Sequence, residues 1–231
     1  MINGQSAGID GDQWAKVGNV PGLRCDPPHA RGKDGYKGCL ILAHGAGAPM
    51  DSGFMDEMAQ RLAALGVAVV RFEFPYMAER TGCRRQAAAE PAEGVAGMLA
   101  RGVPAGATFG RGQAGGGWQV QWAGAWPACW PMNWKRMHWC AWAIQFYAVG
   151  KPEKPRVEHL AELKTPTLIV QGERDALGNR EAVAGYALSP AIEVSWLVAG
   201  DHDLKPLKAS GFSHEQHLQA AAEKVAAFLS Q

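Results

Sequence analysis

The sequence predicts an α/β fold built on a parallel sheet, because buried strands alternate with a helix near the start of the chain. Gly38–Ala43 and Val67–Phe74 are almost continuous apolar runs, which is typical of strands buried on both faces. Between them, residues 54–65 carry apolar side chains at helical spacing, and Gly66 ends the helix. Two strands joined by a helix through short links form a βαβ unit, whose strands are parallel and whose crossover is right-handed.

The C-terminal part of the chain also contains predicted apolar strands. Thr167–Gln171 and Ile192–Val198 are predicted buried strands, and each is followed by a polar loop. The last element is predicted to be a helix that begins with a capping box made by Ser213 and Gln216. Residues 1–37 are rich in Gly, Asp and Pro, and predict loops with at most a short edge strand.

Composition excludes several classes of function. The chain has 231 residues, 23 Lys and Arg against 22 Asp and Glu, and a net charge of +1, so no nucleic-acid partner is expected. It has no basic segment followed by an apolar run at its start, and no run of apolar residues long enough for a transmembrane helix. Its five cysteines lack CxxC spacing, which favours scattered reduced thiols. We expect one domain over residues 1–231, in the cytoplasm and not in a membrane; the sequence leaves the oligomeric state open.

Three polar positions follow predicted strands. The turn at 44–47, His-Gly-Ala-Gly, follows the first buried strand, and its backbone N–H groups could hold an oxyanion. Asp175 and His202 follow the two strands near the end of the chain. Taken singly, each has a plain alternative: a tight turn, a loop or cap residue, and a solvated histidine. Taken together, an acid after one strand and a histidine after the next follow the chain order of α/β-hydrolases.

Several longer motifs strengthen this interpretation. The sequence resembles bacterial α/β-hydrolase-like proteins related to dienelactone hydrolases, in the branch grouped with testis-expressed and NSL-complex hydrolase-like proteins. The resemblance covers residues 38–85 and 147–230. It is carried by LAHGAGAPMDSGFM, VVRFEFPYM, GKPEKPRVEHL, TPTLIVQGERDALG and GDHDLKPLKASG.

The resemblance implies an α/β-hydrolase fold with a mostly parallel, doubly wound sheet and a Ser–His–Asp site. Carried over residue by residue, Asp175 is the acid, His202 is the base, and Gly45 and Ala46 border the oxyanion hole. It further implies a small-molecule acyl substrate, such as an ester or a thioester, and no metal or organic cofactor.

The nucleophile that such a site needs is missing. The family pattern places a G-x-S-x-G elbow between the two matched blocks, yet the chain has no serine from residue 53 to residue 188. Cys129 and Cys140 lie in WPACWP and HWCAW, which are not glycine-flanked turns, so neither is predicted to be the nucleophile. The serines of the chain are Ser6, Ser52, Ser189, Ser195, Ser210, Ser213 and Ser230.

Residues 86–146 have an unusual composition. They hold seven of the nine tryptophans, five of them at four-residue spacing from Trp118 to Trp134, after a glycine-rich stretch without apolar periodicity. A core helix is normally built from smaller apolar residues. Trp has the single codon TGG, and a one-base slip turns its TG into the end of an NTG codon, for Leu, Met or Val. A genuine Trp-rich insertion, such as a lid or an aromatic binding surface, is the alternative interpretation.

Back-translation favours a shifted reading frame. The codons of Trp118–Trp122, moved by one base and with one base dropped at Gln121, permit G-K-S-M-G, a nucleophile elbow. Single-base insertions near residues 86, 121 and 145 account for the whole tract and restore helix, strand, elbow, helix and strand in the order that the fold requires.

The sequence therefore predicts a serine hydrolase of acyl compounds whose nucleophile is absent from the chain as written. The alternative is a non-catalytic hydrolase-like scaffold that binds a partner protein. His214 and His217 lie in the first turn of the last predicted helix, lack HExxH spacing and are expected to be solvated.

Overall fold

A computed structural model of the protein describes residues 23–29, 37–44, 48–73, 113–115, 138–148 and 150–231. Within these ranges the strands are β1 (Leu23–Asp26), β2 (Gly38–Ala43), β3 (Val67–Phe72), β4 (Gln113–Gly115), β5 (Trp139–Trp142), β6 (Thr167–Gly172) and β7 (Ile192–Leu197). The helices are α1 (Gly53–Ala64), α2 (Glu158–Ala161), α3 (Arg180–Ala184) and α4 (His214–Phe228), with a short 3₁₀ turn at Lys208–Ser210.

The described strands form one sheet in the order β1-β3-β2-β4-β5-β6-β7. Strand β1 is antiparallel to β3 at one edge, and every other neighbouring pair is parallel. The parallel sheet and the short edge strand predicted from the sequence are thus confirmed. The strand ends differ slightly from expectation, since β3 stops at Phe72 and β7 at Leu197, while β6 extends to Gly172. The expectation that Ile192–Val198 is a buried strand is wrong, because β7 lies at the edge of the described sheet, where only Leu197 is buried and Val198 is 48% exposed.

Strand β4 lies at the centre of the sheet. Its three residues pair with β2 on one side and with β5 on the other, both in parallel. The carboxyl end of β4, Gly115, is level with Ala43 of β2 and Ala141 of β5. Residue 115 therefore marks the central position along the edge of the sheet where parallel strands present functional loops.

Both faces of the sheet are covered, as in a doubly wound fold. Leu168 and Val170 of β6 belong to the larger hydrophobic core, which also contains apolar side chains of α1 and α4. Ile169 points to the opposite face, because successive strand residues alternate in direction, and it packs in a second core with Phe146 and Val183. Each fully buried aliphatic or aromatic side chain of this kind contributes about 1.5–3 kcal/mol.

Helix α4 begins as the sequence predicts. The Ser213 side chain accepts a hydrogen bond from the backbone N–H of Gln216, whose side chain accepts one from the Ser213 N–H. This capping box satisfies two backbone donors at the helix start. None of the helices in the described part of the chain is long and apolar enough to cross a membrane.

A buried arginine ties the edge strand and α1 to the sheet. The Arg71 side chain is only 1% exposed, and its guanidinium donates to both carboxylate oxygens of Asp26, at 2.9 and 3.0 Å. It also donates to Asp56 Oδ1 at 2.6 Å and to the carbonyl oxygen of Met50 at 2.9 Å. A buried guanidinium needs such partners because its desolvation is costly.

We expect Asp26→Ala to lower the free energy of unfolding by about 1–3 kcal/mol, because it leaves two buried guanidinium donors without acceptors. Urea unfolding followed by circular dichroism measures the change. Glu153→Ala removes an exposed acid and should change stability by less than about 0.5 kcal/mol. Equal stability of the Asp26 and Glu153 variants would contradict the role given to Arg71.

Candidate active site

Asp175 and His202 lie together at the carboxyl edge of the sheet. Asp175 follows β6 and His202 follows β7, which is the adjacent parallel strand. His202 Nδ1 is 2.8 Å from Asp175 Oδ2, and the Asp175 side chain is fully buried while that of His202 is 18% exposed. An Nδ1–H that donates to the carboxylate selects the tautomer whose proton-accepting nitrogen is Nε2. The arrangement is that of an oriented general base.

The Asp175 carboxylate receives two further hydrogen bonds. Gln171 Nε2 donates to Asp175 Oδ2 at 2.7 Å, and the Leu177 backbone N–H donates to Oδ1 at 2.8 Å. Sequence reasoning missed Gln171, although a polar side chain at the end of an apolar strand was an available signal. With His202, the carboxylate has three donors and a fixed orientation.

A glycine allows the two loops to meet. A Cβ atom added to Gly172 would lie 2.3 Å from the carbonyl oxygen of Asp201 and 2.5 Å from that of Gly200. Both contacts are far inside van der Waals distance and involve backbone that cannot move without shifting the loop. A side chain at position 172 would therefore push the loop that carries His202 away from Asp175.

The loop after β7 has its own hydrogen bonds. The Asp201 carboxylate accepts from the backbone N–H groups of Asp203 and Lys205, both at 2.9 Å. Leu204 adopts a left-handed backbone conformation, with φ of 60°, and its side chain is 1% exposed. Burial of this side chain and the bonds of Asp201 hold a strained turn directly after His202.

Two histidines of α4 contact this same turn. His217 is 3% exposed and its Nδ1 lies 2.9 Å from the carbonyl oxygen of Leu204, so the expectation that it is solvated is wrong. His214 is partly buried, with Nε2 3.0 Å from the carbonyl oxygen of Asp203. The reason is a tertiary contact: the first turn of α4 packs against the loop, and its two imidazole rings bond to backbone carbonyl oxygens there.

The end of β2 is marked by a buried histidine. The His44 side chain is fully buried, and its Nε2 lies 2.7 Å from Glu73 Oε1, directly after β3. Burial raises the pKa of Glu73, partly opposed by a hydrogen bond from the Met50 N–H. Gly45 and Ala46, predicted to border an oxyanion hole, lie outside the described residues.

Cys140 does not have the properties of a nucleophile. Its side chain is buried within β5, and burial raises the pKa of the thiol far above its ordinary value. A thiolate, the reactive form, is therefore strongly disfavoured at neutral pH. Cys129, the other cysteine weighed from the sequence, lies outside the described residues.

A cavity of about 310 Å³ lies beside His202, between α1 and α4. Its lining includes Phe54, Leu204 and Leu218, and also Trp142 of β5. Trp142 is 1% exposed, and its indole N–H has no acceptor in the part of the chain that the structure describes. A buried donor left without a partner costs about 1–3 kcal/mol.

Among the described residues, no three His, Cys, Asp or Glu side chains group together in a way that could hold a metal ion.

The fold and the Asp–His pair together define an α/β-hydrolase, and comparison with known proteins agrees. A family model described as an alpha/beta hydrolase domain matches residues 36–106 and 128–230, well over half of the chain, and the chain belongs to this family. The match is interrupted over residues 107–127, where the fold places the end of β4. No curated protein matches the chain.

Solved structures show the same fold. A putative dienelactone hydrolase from Klebsiella pneumoniae subsp. pneumoniae MGH 78578 is 18% identical with a TM-score of 0.56, covering 90% of this chain and 92% of that one. Est1E from Butyrivibrio proteoclasticus, solved with ferulic acid bound, is 14% identical with a TM-score of 0.55, covering 90% and 95%. An alpha-beta serine hydrolase homologue from Coxiella burnetii is 16% identical with a TM-score of 0.51, covering 90% and 89%. At these identities the likeness concerns the fold.

Proposed function

We propose that the natural form of this protein is a serine hydrolase of esters, thioesters or related acyl compounds, and that residues 86–146 represent a shifted reading frame. The observation that carries the hydrolase proposal is the 2.8 Å contact between His202 Nδ1 and the buried Asp175 carboxylate. In an α/β-hydrolase, a base oriented in this way after the last strands serves a nucleophile at the central strand.

The position of β4 supports the proposal for the missing nucleophile. In this fold the elbow follows the central parallel strand, and Gly115 is the last residue of that strand here. The G-K-S-M-G that the shifted frame permits begins at position 118, three residues later. The interruption of the family match over residues 107–127 includes this same place, whereas the match continues over 86–106 and 128–146 of the tract.

Trp142 gives independent support from packing. Among the described residues the Trp142 indole N–H has no acceptor, which is uncommon for a buried Trp, because this group usually finds a partner. The shifted frame ends near residue 145 and replaces the Trp-containing strand by a Leu- and Val-containing one. Such aliphatic residues have no donor to bury.

The mechanism follows from the geometry of the pair. The serine hydroxyl would attack the acyl carbonyl while His202 Nε2 takes its proton, and the same proton would then pass to the departing alcohol or thiol. Water would hydrolyse the acyl-serine by the same route. Asp175 would hold the imidazole tautomer and stabilise the imidazolium. Gly45 and Ala46 remain the proposed source of oxyanion donors.

Resequencing the locus tests the frame directly. We expect an open frame that encodes G-x-S-x-G in place of Trp118–Trp122 and rejoins the printed sequence by Phe146. A confirmed DNA sequence that encodes the tryptophans as printed would refute the shifted frame. It would favour the non-catalytic scaffold, since such a chain has no serine from residue 53 to residue 188.

A further inference from the structure

We propose that Gln171 is the positioning residue of the Asp175–His202 pair, and that its amide fixes the orientation of the carboxylate plane that faces the imidazole. The expected effect of Gln171 on catalysis rests on the proposed function. Its structural part, the control of the Asp–His hydrogen bond, depends only on residues that the structure describes.

Gln171 is locked in place by main-chain partners. The side chain is fully buried, and its Oε1 accepts a hydrogen bond from the backbone N–H of Ile144 at 2.8 Å. Its Nε2 also lies 3.2 Å from the carbonyl oxygens of Ile144 and Gly178. Because all of these partners are backbone atoms, the orientation of the amide does not depend on the side chain at position 144.

The locked amide then fixes the orientation of the Asp175 carboxylate. Gln171 Nε2 donates to Oδ2 at 2.7 Å, and the same Oδ2 accepts from His202 Nδ1 at 2.8 Å. Rotation of the carboxylate about its Cβ–Cγ bond would break both bonds and also the bond from Leu177 N–H to Oδ1. In a fully buried position no water replaces a lost donor, so the carboxylate is held in one orientation.

The absence of a side chain at Gly178 leaves space for the Gln171 amide. A Cβ atom at Gly178 would lie 2.9 Å from Gln171 Nε2 and 2.4 Å from the Phe146 ring. No other uncharged side chain of similar length offers both a donor for Asp175 and an acceptor for Ile144. Methionine has a similar length and shape but supplies neither group strongly.

The test compares Gln171→Met with Thr167→Val in the protein that the confirmed gene encodes. Thr167 lies on the same strand, is 4% exposed and donates to the carbonyl oxygen of Thr165, so its variant also loses a side-chain hydrogen bond. It does not touch Asp175, and it therefore controls for a purely structural loss.

Two readouts separate positioning from stability. The first is the downfield Nδ1–H proton resonance of His202 in the NMR spectrum, which needs no nucleophile. We expect Gln171→Met to shift it upfield or broaden it, and Thr167→Val to leave it in place. The second is kcat on an acyl ester, which Gln171→Met should lower roughly 10–100-fold while KM changes less than about 3-fold.

The outcomes are distinguishable. A changed resonance without esterase activity in any version of the protein would support the role of Gln171 and count against the proposed function. An unchanged resonance and an unchanged kcat in Gln171→Met would overturn the role of Gln171. If Gln171→Met and Thr167→Val altered the resonance equally, the effect would be structural, and the positioning proposal would also be overturned.

Discussion

The chain with residues 86–146 as printed is expected to hydrolyse no simple aryl ester, to remain unlabelled by a fluorophosphonate probe and to be largely insoluble. The proposed base and acid, His202 and Asp175, are present, but the chain has no serine from residue 53 to residue 188 for the base to activate. Loss of a triad serine costs about 10⁶-fold in kcat, because the members act as a unit. The remaining acceleration, roughly 10³-fold over water, would not be detected above background hydrolysis.

The comparison protein has residues 1–85 and 147–231 as printed, joined by the segment that the restored reading frame encodes. We expect it to be soluble, to hydrolyse aryl esters and to be labelled by the probe at the serine of G-K-S-M-G. Changing that serine to alanine is the control, and it should abolish labelling without affecting folding. Robust esterase activity from the printed sequence, titratable with the probe, would contradict both the site assignment and the shifted frame.

The sequence predicted those strands whose own residues form a recognisable strand pattern. Strands β2, β3 and β6 are almost continuous apolar runs, because a parallel strand inside a sheet is buried on both faces. Strand β7, at the edge of the described sheet, alternates apolar and polar residues instead. Asp175 and His202 could be paired in advance because parallel strands present their carboxyl ends at one edge. Their 2.8 Å contact follows from the pairing of β6 with β7 and from the close approach of the two loops at Gly172.

The parts that escaped prediction depend on distant contacts. Strand β4 is Gln-Ala-Gly, which has no strand signal of its own, and its assignment follows from backbone pairing with β2 and β5. His217 was expected in solvent because the sequence places it in the first turn of the last helix but does not show that the loop after β7 packs against that turn. Gln171 was overlooked because its partners, at Ile144 and Asp175, come together only in the folded sheet.

In the protein with an intact nucleophile, we expect Asp175→Asn to lower kcat by about 10⁴-fold and His202→Ala by about 10⁶-fold. The asparagine amide keeps the shape of the carboxylate, but it cannot stabilise an imidazolium and it favours the wrong tautomer of His202. Steady-state kinetics on an aryl ester measure both effects.

Asp175 also accepts from Gln171 and Leu177, so its variant needs a check on folding. Circular dichroism and the thermal unfolding midpoint should show that each variant is folded, and Glu181→Gln, an exposed change on α3, should keep full activity. A folded Asp175→Asn protein with more than about a tenth of the normal kcat would remove Asp175 from the triad. The acid of the site would then have to be sought elsewhere along the carboxyl edge of the sheet. The partly buried Glu73, which lies 2.7 Å from His44 at the end of the neighbouring strands, would be the next carboxylate to test.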